Sequence, residues 1–171
     1  MQILIVGAGK LGYKLAEALS TADNSITVVD IDQQALDRMN SNLDVLTIKG
    51  NAVQSDVLAQ VNLKKTDLAI AVTSSDETNM VFSVLAKKLG CHKTIARVRD
   101  PQYANQLDFL KKVMELDYMI NPELAVAKYI AKLLLRGTVV YIESFANGQV
   151  GMIDLPVKNI PQLIGKQLKE I

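Results

Sequence analysis

The run Gly7-Ala8-Gly9-Lys10-Leu11-Gly12 carries the plainest chemistry in the chain. It follows an apolar stretch and opens one of helical period, so each glycine has a distinct task. Gly7 makes the tight turn, Gly9 leaves the backbone bare for a pyrophosphate, and Gly12 lets the helix pack close to the strand. The helix start then offers free amides and a positive dipole end to phosphates. Asp30 closes the next apolar stretch, 18 residues after Gly12, near the roughly 20 expected for a carboxylate that accepts from an adenosine ribose. That acid opposes a 2′-phosphate, and no arginine follows it before Arg38. An unphosphorylated ribose is therefore expected.

Further candidates cluster at the same predicted edge. Asp32 reads either as a second ribose or adenine contact or as the N-cap of the next helix. Gly50, Asn51 and Ala52, after the third apolar stretch, read as an adenine-side contact or as a plain turn. In Thr73-Ser74-Ser75-Asp76-Glu77, Ser74 and Glu77 have capping-box spacing, while Thr73 and Ser74 could also touch a ligand. Arg97 and Arg99 alternate onto one face at the end of a strand that would otherwise be apolar. Such guanidinium groups want an anion, either a ligand phosphate or a carboxylate such as Asp100 or Glu77.

Catalytic machinery is not legible. Cys91 and His92 are adjacent, so their side chains diverge, and neither completes a nucleophile–base set. Cys91 reads as a packing residue and His92 as a loop residue. No Tyr-x-x-x-Lys occurs, and metal-ligand spacing is missing.

Positioning these residues requires alternating strands and helices. Strands are predicted at 2–6, 26–30, 44–48, 67–73, 94–98 and 117–120, and helices at 10–21, 33–42, 54–61, 76–89 and 101–113. Near-continuous apolar strands such as Ile3-Leu4-Ile5-Val6 fit parallel strands covered on both faces. The economical fold is a doubly wound α/β sheet in the order 3-2-1-4-5-6, with a ligand crevice between strands 1 and 4. A helix from 122 to 136 follows, then strand-like runs at 138–145 and 150–155 joined by the turn signal Asn147-Gly148. In that helix Lys128, Lys132 and Arg136 form one stripe, and apolar residues cover most of the remaining circumference. A partner chain or the following hairpin would have to cover it.

The 171 residues carry 19 Lys+Arg against 18 Asp+Glu, a net charge of +1. This balance, with no basic run or aromatic-basic interleaving, argues against a nucleic-acid partner. No stretch approaches the ~20 uninterrupted apolar residues of a membrane span, and no basic segment precedes the first strand as in a signal peptide. The lone Cys91 excludes an internal disulfide and fits a reducing compartment.

Taken together, Gly7–Gly12, Val28-Val29-Asp30-Ile31-Asp32, Ala71-Val72-Thr73, Ala96-Arg97-Val98-Arg99-Asp100 and Asn121-Pro122-Glu123 resemble the TrkA and Ktr nucleotide-binding regulatory subunits of potassium uptake systems. The resemblance implies a Rossmann-type domain over 1–136, including a crossover helix, and over 137–171 the beginning of a small C-terminal α+β domain. It implies NAD or NADH, or ATP or ADP, held by the run Gly7-Ala8-Gly9-Lys10-Leu11-Gly12 and by Asp30, Ile31 and Asp32. Asn51, Ala52, Thr73, Ser74 and Arg97 would line the site. Lys10 stands where many relatives have arginine, and Asn51 where some have aspartate. Glu123 matches a glutamate that in some relatives helps bind a divalent cation between subunits. The implied protein is no enzyme. It is a cytoplasmic regulator on the inner face of the cell membrane, a homodimer assembling into a ring beneath a membrane potassium-translocating subunit and gating it through dimer rearrangement. The alternative is the nucleotide-binding domain of a truncated NAD-dependent oxidoreductase.

Overall fold

A computed structural model describes residues 1–20, 23–104, 106–135, 141–145, 150–154 and 160–167. Six strands form the first unit's sheet: β1 (Gln2–Val6), β2 (Ser25–Asp30), β3 (Leu46–Lys49), β4 (Leu68–Ala71), β5 (Lys93–Arg97) and β6 (Tyr118–Ile120). Their order is β3-β2-β1-β4-β5-β6, and every neighbouring pair is parallel. The predicted topology holds, with the reversal of strand order between β1 and β4.

Strand alternation builds two cores. Ile3 and Ile5 of β1, with Val28 and Ile70, pack against Ala16 of α1 (Lys10–Leu19) and Ala35, Leu36 and Met39 of α2 (Gln33–Asn42). Leu4 and Val6, with Val29, Ala69 and Ala71, pack against Val57 and Leu58 of α3 (Ser55–Leu58) and Phe82 and Ala86 of α4 (Asp76–Lys88). Ile5 is wholly buried, Leu4 nearly so. Each such aliphatic side chain contributes about 1.5–3 kcal/mol. A half-exposed sheet could not use this sequence, because successive β1 residues face opposite apolar layers.

Two predicted helices differ from the structure. The 54–61 segment keeps α-helix only over Ser55–Leu58, because Gln60 and Val61 donate three residues back, to Val57 O and Leu58 O. The 101–113 segment divides into α5 (Pro101–Ala104) and α6 (Leu107–Val113), where Gln106 donates to Tyr103 O and caps the second helix. Glu115 then takes a left-handed φ of 55° while Leu116 donates to Lys111 O, an α6 stop built without glycine.

The second unit, from Leu124 onward, holds most of α7 (Pro122–Leu135) and the antiparallel pair β7 (Tyr141–Phe145) and β8 (Val150–Asp154). The predicted Asn147-Gly148 turn and Arg136 lie outside the described residues. On α7, Val126, Tyr129, Ile130 and Leu134 are all exposed, Leu134 by 77%. No helix among the described residues is long and apolar enough to cross a membrane.

Candidate functional site

The three glycines of the first turn separate by what the fold demands of them. Gly7 has a φ of +109°, and a Cβ there would lie 2.9 Å from the Thr73 amide nitrogen. A Cβ on Gly12 would lie 1.8 Å from Gly7 O. Gly7 is dictated by its φ and by the Val72–Thr73 backbone just past β4, and Gly12 by the close approach of α1 to the Gly7 carbonyl. Gly9 is different: its φ is an ordinary −67°, and a Cβ there meets nothing within 4 Å. Nothing among the described residues requires that backbone to be bare. Gly9 is also the N-cap of α1, with no side-chain cap and no acid in the first turn, so α1 itself supplies nothing to offset its positive end.

Asp30 braces this turn. Its Oδ2 accepts from the Ala8 amide at 2.5 Å and its Oδ1 from the Asp32 amide at 2.8 Å. A carboxylate has lone pairs left after two such bonds, so it can still accept from ribose hydroxyls. Asp32 takes the N-cap role at α2, accepting from Gln34 N at 2.9 Å. Asn51 closes an Asx turn by accepting from Val53 N at 3.2 Å.

These groups surround one cleft of about 470 Å³ at the carboxyl ends of β1, β2 and β4. It gathers Gly7, Gly9, Asp30, Ile31, Asp32, Gly50, Asn51, Ala52, Thr73 and Ser74 from the sequence candidates, and adds Ser75 and Thr78. Among the described residues no lysine or arginine lines it. Its anion-binding capacity therefore rests on backbone amides and helix ends, with Asp30 and Asp32 making one end acidic. Ala8 and Lys10 line an adjoining hollow with Tyr13, Lys14 and Arg38. Leu11 packs toward the core, and Gly12 is buried beneath the turn.

Three local assignments change. The N-cap of α4 is Ser75, not Ser74: Ser75 Oγ accepts from Thr78 N at 3.0 Å and donates to Glu77 Oε2 at 3.0 Å. β4 ends at Ala71, and Thr73 turns the chain by accepting from Ser75 N, which moves the helix start on by one residue. Arg97 is not on the cleft wall. It lies opposite Ile120 in the β5–β6 register, and its guanidinium pairs with Glu123 at the start of α7 rather than with Asp100 or Glu77. Burial alone would raise the Glu123 carboxyl. Its own backbone amide and the Arg97 and Arg99 charges outweigh that and hold it below the ordinary glutamate value. Among the described residues no group of three or more His, Cys, Asp or Glu side chains could hold a metal. Arg99 donates to Ser74 O, with Asp76 Oδ1 3.8 Å from its Nε.

Sequence reasoning missed Asn79 and Asp76, both buried in α4. Asn79 accepts from the Thr73 amide at 2.9 Å and donates to Arg97 O at 3.0 Å. Asp76 Oδ2 accepts from the amides of Arg99 and Asp100 at 2.8 and 2.7 Å. Polar residues at helical spacing on an otherwise apolar face, Asp76, Asn79 and Ser83, were the available signal. Leaving such a buried group unpaired costs about 1–3 kcal/mol.

Glycine turn, Asp30 carboxylate and crevice at the strand reversal form one arrangement, and comparison with known proteins places the chain in a family. A model of the TrkA-N domain matches residues 3–122. The chain belongs to that family. A Trk system potassium uptake protein TrkA homolog of Methanosarcina mazei is 36% identical over 178 residues, an alignment covering all of this chain and 43% of that protein. The chain thus spans less than half the length of such relatives. The TrkA-N domain of inner membrane protein ybaL from Escherichia coli superposes with a TM-score of 0.68 at 19% identity, covering 78% of this chain and 96% of that one. The GsuK channel bound to NAD superposes with a TM-score of 0.59 at 18% identity, covering 70% and 21%. GsuK bound to ADP gives 0.58 at 21% identity, covering 70% and 31%. These likenesses establish the TrkA-N domain's fold, a six-stranded parallel Rossmann-type sheet.

Proposed function

We propose that this TrkA-N domain is the nucleotide-binding part of a regulator of potassium uptake. It binds NAD(H), or ATP or ADP, in the cleft between the glycine turn and Thr73, and performs no chemistry on the ligand. The observation that carries this reading is Gly9, bare where the protein's own packing would accept a side chain. A diphosphate laid over Gly9 meets the uncapped amides of α1, and the adenosine ribose then reaches Asp30. With no lysine or arginine among the described residues of its wall, the cleft suits a diphosphate, as in NAD or ADP, better than a triphosphate. Named relatives in potassium uptake, and GsuK structures holding NAD and ADP, support the same assignment.

At the level of assembly, the chain acts from the cytoplasmic face on a membrane potassium-translocating subunit. It works as a homodimer within a larger ring, with residues 1–136 as the nucleotide domain and 137–171 as the beginning of a C-terminal domain. The exposed apolar residues of α7 supply the dimer surface. Occupancy changes the gate because each nucleotide binds one dimer arrangement more tightly than another. Glu123 contributes to a divalent-cation site only if a second subunit completes it, since one carboxylate already held by Arg97 is a poor ligand alone.

Calorimetric titration of the chain with NAD, NADH, ATP, ADP and NADPH tests the reading. Binding of NAD or adenine nucleotides, lost in Gly9→Ala and accompanied by no turnover, is expected. Unchanged affinity in Gly9→Ala would overturn the placement of the diphosphate, and tightest binding to NADPH would overturn the role of Asp30.

A further inference from the structure

We infer that Asn79 is a positioning residue that ties the cleft wall at Thr73 to the Arg97–Glu123 ion pair, so that a change at either end is felt at the other. The nucleotide arm of this inference rests on the proposed ligand site; the link itself does not.

Asn79 is completely buried, and its partners dictate its orientation. The Thr73 amide can only donate and the Arg97 carbonyl can only accept, so Oδ1 faces Thr73 and Nδ2 faces β5. Oδ1 receives the Thr73 amide at 2.9 Å and the Thr73 hydroxyl at 2.8 Å, and Nδ2 gives to Arg97 O at 3.0 Å and Thr73 O at 3.4 Å. Two lone pairs and two hydrogens are the whole capacity of a carboxamide. Asn79 therefore cannot follow a displacement of Thr73 and keep its bond to Arg97.

The far end is equally constrained. The Arg97 side chain is 16% exposed, its guanidinium meets Glu123 through one terminal nitrogen, and its Nε is buried without a hydrogen-bond partner among the described residues. The pair with Glu123 is thus the charge contact that fixes where the guanidinium sits. Asp76, three residues before Asn79 and on the same helix face, grips the amides of Arg99 and Asp100. The first turn of α4 consequently holds the β5 end at two points while Thr73 borders the cleft. The Thr73 hydroxyl has one proton and two acceptors, Asn79 Oδ1 and Ser75 O at 3.1 Å. A ligand that bonds Thr73 changes that choice, and the change falls directly on Asn79. Linkage then requires reciprocity: whatever the nucleotide does to the Arg97–Glu123 pair, loss of that pair does to nucleotide affinity by the same factor.

The test uses the whole chain, ¹⁵N-labelled, with Glu123→Gln, a change at a half-exposed side chain that leaves the buried network in place. The expected result is a shift of the Asn79 side-chain amide and the Thr73 backbone amide, and a change in NAD affinity on the order of fivefold. Asn79→Ser should confine the Glu123→Gln shift to residues 97 and 120–124 and reduce its effect on NAD affinity to less than twofold. Should Asn79→Ser not fold, Glu123→Gln in the otherwise unchanged chain decides. An unmoved Thr73 amide overturns the link, and NAD binding that is indifferent to Glu123→Gln overturns its nucleotide arm. Failure of NAD and ADP to bind at all removes the proposed function alone, because the amide shifts still report the link.

Discussion

The two ends of the six-stranded sheet are built on opposite plans. At the amino end, Lys87 holds both carboxylate oxygens of Asp117 at 2.9 and 2.8 Å and also donates to His92 O, while Asp117 accepts from Thr94 N. Charge meets charge there, and Cys91 is buried beside it, its thiol pushed up by desolvation. At the carboxyl end, the charged groups bond mainly to backbone: Asp30 to Ala8 and Asp32, Asp76 to Arg99 and Asp100. Between them a helix start is left uncapped and a glycine is left without a steric reason. The closed end holds the strands together, and the open end keeps backbone polarity available for something else. Side chains that use their full bonding capacity stabilise; those that organise loops around unspent amides prepare a binding site.

This contrast can be broken in order of effect. Gly12→Ala should be the most damaging change, since its Cβ falls on Gly7 O; a loss of about 3 kcal/mol, or roughly 6–12 °C in Tm, is expected by thermal denaturation. Asp117→Asn should cost about 2 kcal/mol and leave nucleotide affinity untouched. Its pH dependence has a definite sign. Burial alone would raise the Asp117 carboxyl, but Lys87 and the Thr94 amide hold it below its ordinary 3.8. A depressed folded-state value means the stabilisation is present in full above about pH 4 and is lost as pH falls through that lower value. The gap between Asp117→Asn and the parent chain should therefore narrow in acid unfolding curves. Asp30→Ala should lower NAD affinity at least tenfold, worth about 1.4 kcal/mol, with a further stability loss near 1 kcal/mol because Ala8 and Asp32 lose their acceptor. Gly9→Ala should change stability by less than about 0.5 kcal/mol while abolishing measurable binding in the same titration. The smallest effect is Glu115→Gly, expected to stabilise by a few tenths to 1 kcal/mol through relief of the left-handed residue, since its exposed pair with Lys88 contributes little. A large destabilisation by Gly9→Ala, or none by Gly12→Ala, would erase the distinction drawn between the two glycines.

The order of the strands and most of the cleft were legible because both follow from local patterns. Apolar runs such as Ile3–Val6 declare buried parallel strands, and the spacing from Gly12 to Asp30 declares the turn and its acid. The reading stopped where bonds cross between distant segments. That Arg97 pairs with Glu123, 26 residues on, depends on the β5–β6 register and on where α7 begins, neither of which a charge pattern encodes. Asn79 was invisible for a related reason: inside a helix it looks like an ordinary polar residue until the ends of β4 and β5 close around it. Ser75 displaced Ser74 as the cap because the Thr73 hydroxyl adds a turn before the helix, a one-residue matter that spacing alone could not resolve.

The central place of β1 also has a consequence for the growing polypeptide. Its neighbour on one side, β2, arrives by residue 30, but its other neighbour, β4, ends only at Ala71. Until that point has left the ribosome and the crossover has wrapped back, a strand reading Ile-Leu-Ile-Val has one bare edge. Long-range parallel pairing is slow to form and leaves such edges open to other chains. Synthesis of residues 31–71 is therefore an interval in which β1 lacks one neighbour, and slowing translation there should increase aggregation more than slowing it after Lys88.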